Sequence, residues 1–280
     1  MDKIRFIHIP KTAGSTFRLV FLNQYRNLPF FKFTGDEIRD KERFEALSDK
    51  RKNEINIFFG HSRLNSCVPE ANDAKVILFL RDPISRVKSF CQHVSEGKSQ
   101  YLLRDFPPSS FDLDQFLKSG NGELSNLQSR ILINQNDFSS SFIDGLPHSE
   151  AKELAFEVLA EKIEALGLTE YFDESLINIA HNLHWKDHYY FNRNKKNKSK
   201  LLEFNESHLE QIQELNRLDI EVYNEARQKF FEHLKMIPNF SERLVKFKEN
   251  QKSKALSTGI KQIFQFGYLV AKNPRSITPS

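Results

Sequence analysis

The sequence is poor in cysteine, tryptophan and methionine, and it has no long apolar run. Its 280 residues include two cysteines, Cys67 and Cys91, one tryptophan and two methionines. Two thiols cannot build a disulfide framework or a four-cysteine zinc site. No stretch reaches the ~18 consecutive apolar residues of a membrane-spanning helix, and no apolar leader follows Met1. We therefore expect a cytoplasmic protein that folds in a reducing environment.

The positive charge of the chain is concentrated at its C-terminus. The formal net charge is +4, from 41 basic and 37 acidic residues. Residues 241–280 contain eight of the basic and two of the acidic residues, which leaves 33 basic and 35 acidic residues in the rest. A nearly neutral body argues against nucleic acid as a partner. The basic tail also carries apolar residues, which predicts a partly helical segment packed on the body or on another subunit, with weak membrane-surface contact as the alternative.

Short apolar segments alternate with helical patterns along the chain, which is typical of an α/β fold. Apolar runs predict strands at 4–9, 55–59, 76–80 and 165–169. Helical patterns lie at 17–25, 83–94, 151–166 and 173–183, and irregular charged sequence with one short helix lies at 29–54. A long helix is predicted from Ser207, which begins a Ser-x-x-Glu capping box.

This alternation predicts the domain organisation. We expect a single domain over residues 1–240, with a central parallel β-sheet flanked by helices, followed by the basic tail at 241–280. Phenylalanine is the most abundant aromatic residue, with 26 copies, and we expect it to fill the core.

The turn after the first strand has the composition of an anion-binding loop. It reads HIPKTAGST from His8 to Thr16, and a helix is predicted to begin at once. Backbone N–H groups and a helix N-terminus then converge on one spot, where Lys11 adds a positive charge, and Ser15 and Thr16 add hydroxyl donors. The segment is not a Walker A motif, because its lysine precedes a single glycine. An ordinary capped turn between strand and helix is the alternative.

A second polar segment, LRDPISRVKSF, follows the most apolar strand. Arg81 stands at the carboxyl end of that strand, where open α/β sheets bind ligands. Ser89 lies two turns into the following helix and can approach the same ligand. Asp82 is predicted to cap that helix, and Arg86 and Lys88 are predicted to face solvent.

Together the two segments resemble a known signature. FIHIPKTAGSTF followed by FLRDPISRVKSF is similar to the two nucleotide-binding motifs of carbohydrate sulfotransferases that use 3′-phosphoadenosine 5′-phosphosulfate (PAPS), most of all to the group of heparan sulfate 2-O-sulfotransferase and its small bacterial relatives. The resemblance implies a P-loop-like nucleotide-binding core and transfer of a sulfuryl group from PAPS to a hydroxyl of a carbohydrate or other acceptor. It extends over about residues 4–235 and is thin between 97 and 167.

The resemblance also implies roles for individual residues. The loop that binds the 5′-phosphosulfate corresponds to Lys11, Thr12, Ala13, Gly14, Ser15 and Thr16. Arg81 and Ser89 match the residues that hold the 3′-phosphate, and Lys196 and Ser199 fall where relatives have a loop that closes over the nucleotide.

The resemblance further implies two catalytic residues. His61, which follows Gly60 at a strand end, matches the proposed catalytic base, and Lys11 would neutralise the charge on the leaving 5′-phosphate. In-line sulfuryl transfer of this kind requires no metal.

Two other functions remain open at this point. A nucleotide or sugar kinase would use the turn at Lys11 for ATP, and a non-catalytic nucleotide-binding protein would have His61 directed away from the ligand. His184 and His188 have i, i+4 spacing, but the sequence offers no third ligand, so we predict no metal site.

One further polar cluster is a weak candidate for contact with the acceptor. It comprises Asn126, Gln128 and Arg130, which lie on one predicted helix.

Overall fold

The protein contains a parallel β-sheet, as its alternating pattern predicts. The computed structural model describes residues 2–134, 146–186, 188–190 and 201–253. Within these ranges the strands are β1 (Ile4–Ile7), β2 (Phe30–Thr34), β3 (Ile57–His61), β4 (Lys75–Leu80) and β5 (Ile163–Leu168). They form one sheet in the order β2-β3-β1-β4-β5, with every pairing parallel. The predicted α/β class with a central parallel sheet is therefore confirmed.

Helices connect successive strands, and further helices come after β5 in the chain. They are α1 (Gly14–Gln24), α2 (Glu37–Glu45), α3 (Asp49–Glu54), α4 (Pro83–Ser95), α5 (Leu113–Leu117), α6 (Leu127–Leu132), α7 (His148–Glu161), α8 (Phe172–Asn182), α9 (Glu206–Leu215) and α10 (Arg217–Met236). Residues 240–253 are also helical. None of the helices in the described part of the chain is long and apolar enough to cross a membrane. The cytoplasmic location stays a prediction.

Short polar side chains start several of these helices. Asp36, Ser48, Asp82 and Asp112 each accept a hydrogen bond from the backbone N–H three residues later. Such bonds satisfy donors that have no partner within the helix. The predicted cap at Asp82 is among them.

Two elements differ from the sequence-based predictions. The 29–54 segment, predicted to be irregular, contains strand β2, in which Lys32 interrupts the apolar run. The predicted long helix from Ser207 is two helices: α9 is capped by Asn205, and the chain breaks at Asn216. The Asn216 side chain donates to the carbonyls of Leu124 and Ile212 (2.8 and 2.9 Å), which stabilises the break.

The described residues form two compact units. Unit 1 contains the described residues 2–80, 161–186, 188–190 and 227–253, and therefore the whole sheet. Aromatic rings fill its core, as predicted for phenylalanine: the Phe17 ring on α1 lies 4.6 Å from the Phe6 ring on β1 and 4.6 Å from the Phe79 ring on β4. Phe247, from the helix at 240–253, is buried in the same cluster.

Unit 2 contains residues 81–134, 146–160 and 201–226. Its core has side chains from α4, α5 and α9, among them Phe90, Phe116 and Ile212. The predicted boundary at residue 240 stays a prediction.

Candidate active site

The turn between β1 and α1 in unit 1 has an unusual backbone. Lys11 and Ala13 both adopt positive φ angles, 69° and 62°, a left-handed conformation that is uncommon for residues other than glycine. The N–H groups of Thr16 and Phe17 both donate to the Ala13 carbonyl (3.0 and 3.1 Å), so the helix begins within the turn. The N–H groups of Gly14 and Ser15 come before these two bonds and have no preceding helical carbonyl to donate to, so they can bind an anion.

The side chains of this turn divide into structural and ligand-facing groups. The Thr12 hydroxyl is fully buried and donates to the Ile9 carbonyl at 2.9 Å, so it closes the turn. Thr16 is also buried, whereas Ser15 is exposed and Lys11 is partly exposed. Of the predicted loop residues, Lys11 and Ser15 therefore have the side chains most accessible to a ligand.

Gly14 allows a histidine to lie directly against the turn. A Cβ atom at this position would lie 1.9 Å from Cδ2 of His8, closer than any real contact. The His8 ring in turn stacks on the His61 ring, with 4.4 Å between centroids and 24° between planes. The lack of a side chain at Gly14 is what permits this stacked pair beside the turn.

His61 ends strand β3 and has its ring orientation fixed by a hydrogen bond. Its Nδ1 lies 2.8 Å from the backbone carbonyl oxygen of His8. Because a carbonyl oxygen can only accept, Nδ1 must carry the proton and donate it. In the neutral ring Nε2 then has the lone pair, and it can accept a proton.

The surroundings of both histidines favour their neutral forms. Burial is the main cause that lowers the pKa of His61, and the charges of Arg18 and Lys32 lower it further. Burial also lowers the pKa of His8, followed by the charges of His61, Arg18 and Lys11. The same cations that disfavour an imidazolium favour a negatively charged ligand at this edge of the sheet.

Sequence reasoning missed Arg18 and Lys32. Lys32 belongs to β2, the strand that was not predicted, and alternates with inward-facing Phe31 and Phe33. Its pKa is lowered by burial and then by the charges of Arg18 and Arg43. The alternation of Lys32 with phenylalanine was the available signal.

The segment after His61 is anchored by a buried arginine. The Arg5 guanidinium on β1 donates to the Leu64 carbonyl (2.7 Å) and the Ser62 hydroxyl (2.9 Å), and it also binds the Arg63 carbonyl. Arg5 is fully buried, and burial lowers its pKa to about 10. These bonds hold the chain immediately after the candidate base.

The second motif lies at the start of unit 2. Arg81 directly follows the last residue of β4, and Ser89 is partly buried on α4. The Arg81 N–H donates to Oε1 of Gln128 (2.9 Å), and Nε2 of Gln128 donates to the Arg81 carbonyl (2.8 Å).

Arg86 corrects one prediction about this motif. It was predicted to face solvent, but it is fully buried, and it donates to the Glu123 carbonyl at 2.5 Å. Lys88 is exposed, as predicted, and lies 5.0 Å from the centre of the Phe204 ring.

Two of the three residues in the polar cluster predicted to contact the acceptor are buried in α6. Gln128 and Arg130 are fully buried, and Gln128 binds the main chain of Arg81. These two side chains are therefore not placed for contact with an acceptor.

The remaining predicted residues are placed as follows. Lys196 and Ser199 lie outside the described residues, so their roles stay predictions. Among the described residues, histidine, cysteine, aspartate and glutamate form no group of three or more that could hold a metal ion.

Comparison with known proteins identifies sulfotransferases as relatives. No protein-family model matches the chain. The chain is 24% identical over 287 positions to heparan-sulfate 6-O-sulfotransferase 1-B of Danio rerio, covering 88% of this chain and 70% of that one. It is also 24% identical over 269 positions to the heparan-sulfate 6-O-sulfotransferases 1 of Cricetulus griseus and Mus musculus, covering 82% of this chain and 67% and 66% of theirs.

One solved sulfotransferase structure is also similar to this chain, with a lower sequence identity. It is the crystal structure of mouse sulfotransferase SULT7A1 complexed with PAP, with 14% identity, coverage of 90% of this chain and 89% of that chain, and a TM-score of 0.38. The fold is established by the observed sheet topology.

The sequence relatives confirm the resemblance to carbohydrate sulfotransferases that the two motifs indicate. The narrower similarity to the 2-O group stays a prediction, since the relatives found are 6-O enzymes.

Proposed function

We propose that this protein transfers the sulfuryl group of PAPS to a hydroxyl of a carbohydrate acceptor, with His61 as the general base. The observation that carries the proposal is the hydrogen bond from Nδ1 of His61 to the His8 carbonyl, 2.8 Å long. It leaves Nε2 as a proton acceptor next to a turn that is built to hold an anion. The three sulfotransferase relatives support the same reaction class.

The β1–α1 turn fits the 5′-phosphosulfate of PAPS. The first turn of α1 offers backbone N–H groups and the positive end of a helix dipole to an anion. Lys11 and Ser15 add a charge and a hydroxyl, and Arg18 and Lys32 make the surroundings more positive. Main-chain N–H groups of Thr12, Ala13 and Gly14 complete the proposed loop, and Thr16 stabilises it through the bond from its N–H to the Ala13 carbonyl.

The second motif is proposed to bind the 3′-phosphate through Arg81 and Ser89. An arginine can donate two parallel hydrogen bonds to a phosphate, and a serine adds a third. Lys196 and Ser199 keep the nucleotide-binding role that the family resemblance implies.

The proposed reaction needs one proton acceptor and stabilisation of one leaving group. A bond forms between the acceptor oxygen and sulfur while the bond from sulfur to the bridging oxygen breaks, and the electron pair of that bond stays on the 5′-phosphate. Nε2 of His61 takes the hydroxyl proton of the acceptor. Lys11 and the N–H groups of α1 stabilise the charge that develops on the leaving phosphate. No step in this scheme needs a metal ion.

A comparison of nucleotides by thermal shift tests the proposal. We expect 3′-phosphoadenosine 5′-phosphate (PAP) to raise the melting temperature more than AMP or ATP, because only PAP has a 3′-phosphate. A ligand that binds only the folded state at about a hundredfold excess over its Kd stabilises by ~2.7 kcal/mol. Stabilisation by ATP but not by PAP would contradict the proposal and favour the kinase alternative.

A further inference from the structure

A buried glutamine holds the main chain of Arg81 on both sides. Gln128 on α6 accepts from the Arg81 N–H (2.9 Å) and donates to the Arg81 carbonyl (2.8 Å). Only 1% of Gln128 is exposed, so these bonds are shielded from water. The N–H and the carbonyl of Arg81 belong to the two peptide groups on either side of its Cα atom. The two bonds therefore fix the orientation of both peptide groups.

Gln128 is itself held by a buried carboxylate on α10. Oδ2 of Asp219 accepts from the Gln128 N–H (3.1 Å), and Oδ1 accepts from the N–H and hydroxyl of Ser129 (2.7 and 2.6 Å). Asp219 is 1% exposed. Its own N–H donates to the side chain of Asn126 at 3.1 Å, so the bonds run both ways between α6 and α10.

A buried cation balances the charge of this carboxylate. Arg86 on α4 is fully buried, and burial lowers its pKa, while the charge of Asp219 raises it. Two buried charges of opposite sign offset part of each other's desolvation cost. Continuous hydrogen bonds therefore lead from Asp219 through Gln128 to the main chain of Arg81.

We infer that Gln128 is a positioning residue that sets the Arg81 backbone, and thereby its side chain, for binding the 3′-phosphate of the nucleotide. The inference rests on the proposed function, since it assumes that Arg81 binds this phosphate. Because Gln128 is buried and bonded to the main chain of Arg81, we expect it to act through Arg81 and not by contact with the nucleotide. Its loss should therefore affect the contribution of the 3′-phosphate and leave the rest of the nucleotide unaffected.

The experiment measures the ratio of the AMP and PAP dissociation constants by calorimetry. For the wild type we expect a ratio of at least about ten, because charge-assisted hydrogen bonds to a phosphate are strong. Gln128→Met keeps the length of the side chain and removes both bonds to Arg81. We expect it to lower the ratio at least fivefold while the AMP constant stays within twofold of the wild type.

Asn178→Leu is the matched control. Asn178 is another buried carboxamide, 1% exposed, whose Nδ2 donates to the Leu166 carbonyl of β5 at 3.0 Å. The control removes a comparable buried bond in unit 1, and we expect the ratio to stay at its wild-type value. If Gln128→Met does not fold, Gln128→Asn is the second variant. It keeps the carboxamide on a side chain that is one methylene shorter, so it should no longer reach Arg81 and should lower the ratio of the AMP and PAP dissociation constants in the same way.

The outcomes separate this inference from the proposed function. A folded Gln128 variant with the wild-type ratio overturns the positioning role alone. An equal fall of the ratio in Asn178→Leu also overturns it, because the effect would then follow general destabilisation. A wild-type protein that binds AMP and PAP equally overturns the proposed function, and with it this inference.

Discussion

His61 is the residue on which the proposed chemistry depends most. Its hydrogen bond to the His8 carbonyl leaves Nε2 free to take a proton, and general-base assistance typically accelerates a reaction ~10²–10⁴-fold. We therefore expect His61→Ala to lose at least about a hundredfold in turnover. PAP affinity should stay near that of the wild type, because the proposed nucleotide contacts come from other residues. A folded variant that keeps about a tenth or more of wild-type turnover would show that His61 is not the base.

The pH dependence of turnover tests the same residue without a substitution. Burial and the charges of Arg18 and Lys32 lower the pKa of His61 below its usual 6.5. A base must be neutral to accept a proton, so turnover should be flat above pH 6.5 and fall as the pH drops through the lowered pKa. A pH–rate profile in saturating PAPS measures this midpoint. A midpoint above pH 7 would contradict the assignment.

The turn between β1 and α1 is the element that brings the histidines and the anion site together. A Cβ on Gly14 would overlap the His8 ring, so Gly14→Ala must displace that ring and the stacked His61. We expect a stability loss of ~1–3 kcal/mol from overpacking and a turnover loss of at least about tenfold. Chemical denaturation and initial rates measure the two effects.

Gly167→Ala is the control for this change. A Cβ there would lie 2.6 Å from the Phe79 ring, an overlap of the same kind within the sheet core. It should lose stability without a comparable loss of turnover. Wild-type turnover in folded Gly14→Ala would mean that the His8–His61 stack has no part in the reaction.

The elements also show how far sequence reasoning reached. Apolar runs identified β1, β3, β4 and β5, because buried parallel strands are almost continuously apolar. β2 was missed because its pairing depends on a tertiary contact: Gly60 has a φ of 128°, and a Cβ there would lie 2.2 Å from the Phe33 carbonyl oxygen. The close approach itself leaves no periodic pattern, so the short alternation of Lys32 with Phe31 and Phe33 was the available signal for β2.

The same limit applies to the candidate site. Local motifs and family resemblance pointed to Lys11, His61, Arg81 and Ser89. The bonds from Gln128 to Arg81 join residues that are 47 positions apart, and no local pattern indicates such a pairing.

For the molecule as a whole, the helix at 240–253 tests whether the folded domain ends at the predicted boundary, residue 240. Phe247 is 3% exposed, and its ring stacks 5.2 Å from that of His188 and 5.3 Å from that of Tyr189. We expect Phe247→Ala to lower the free energy of unfolding by ~3–5 kcal/mol, as for other buried aromatic residues. Val245→Ala, at a position 59% exposed, should change it by less than ~0.5 kcal/mol. Equal stability of the two variants would place this helix outside the core and support the boundary at residue 240.

Isotopic labelling of the sulfuryl group tests directly whether the protein transfers it from PAPS to a saccharide. The protein is incubated with PAPS labelled in its sulfuryl group and with a panel of saccharides, and label is measured in the saccharide fraction. We predict transfer that requires both PAPS and a saccharide, and that falls at least about a hundredfold in His61→Ala. A parallel reaction uses ATP labelled in its γ-phosphoryl group. Transfer of the phosphoryl label to the panel, without transfer of the sulfuryl label, would contradict the account.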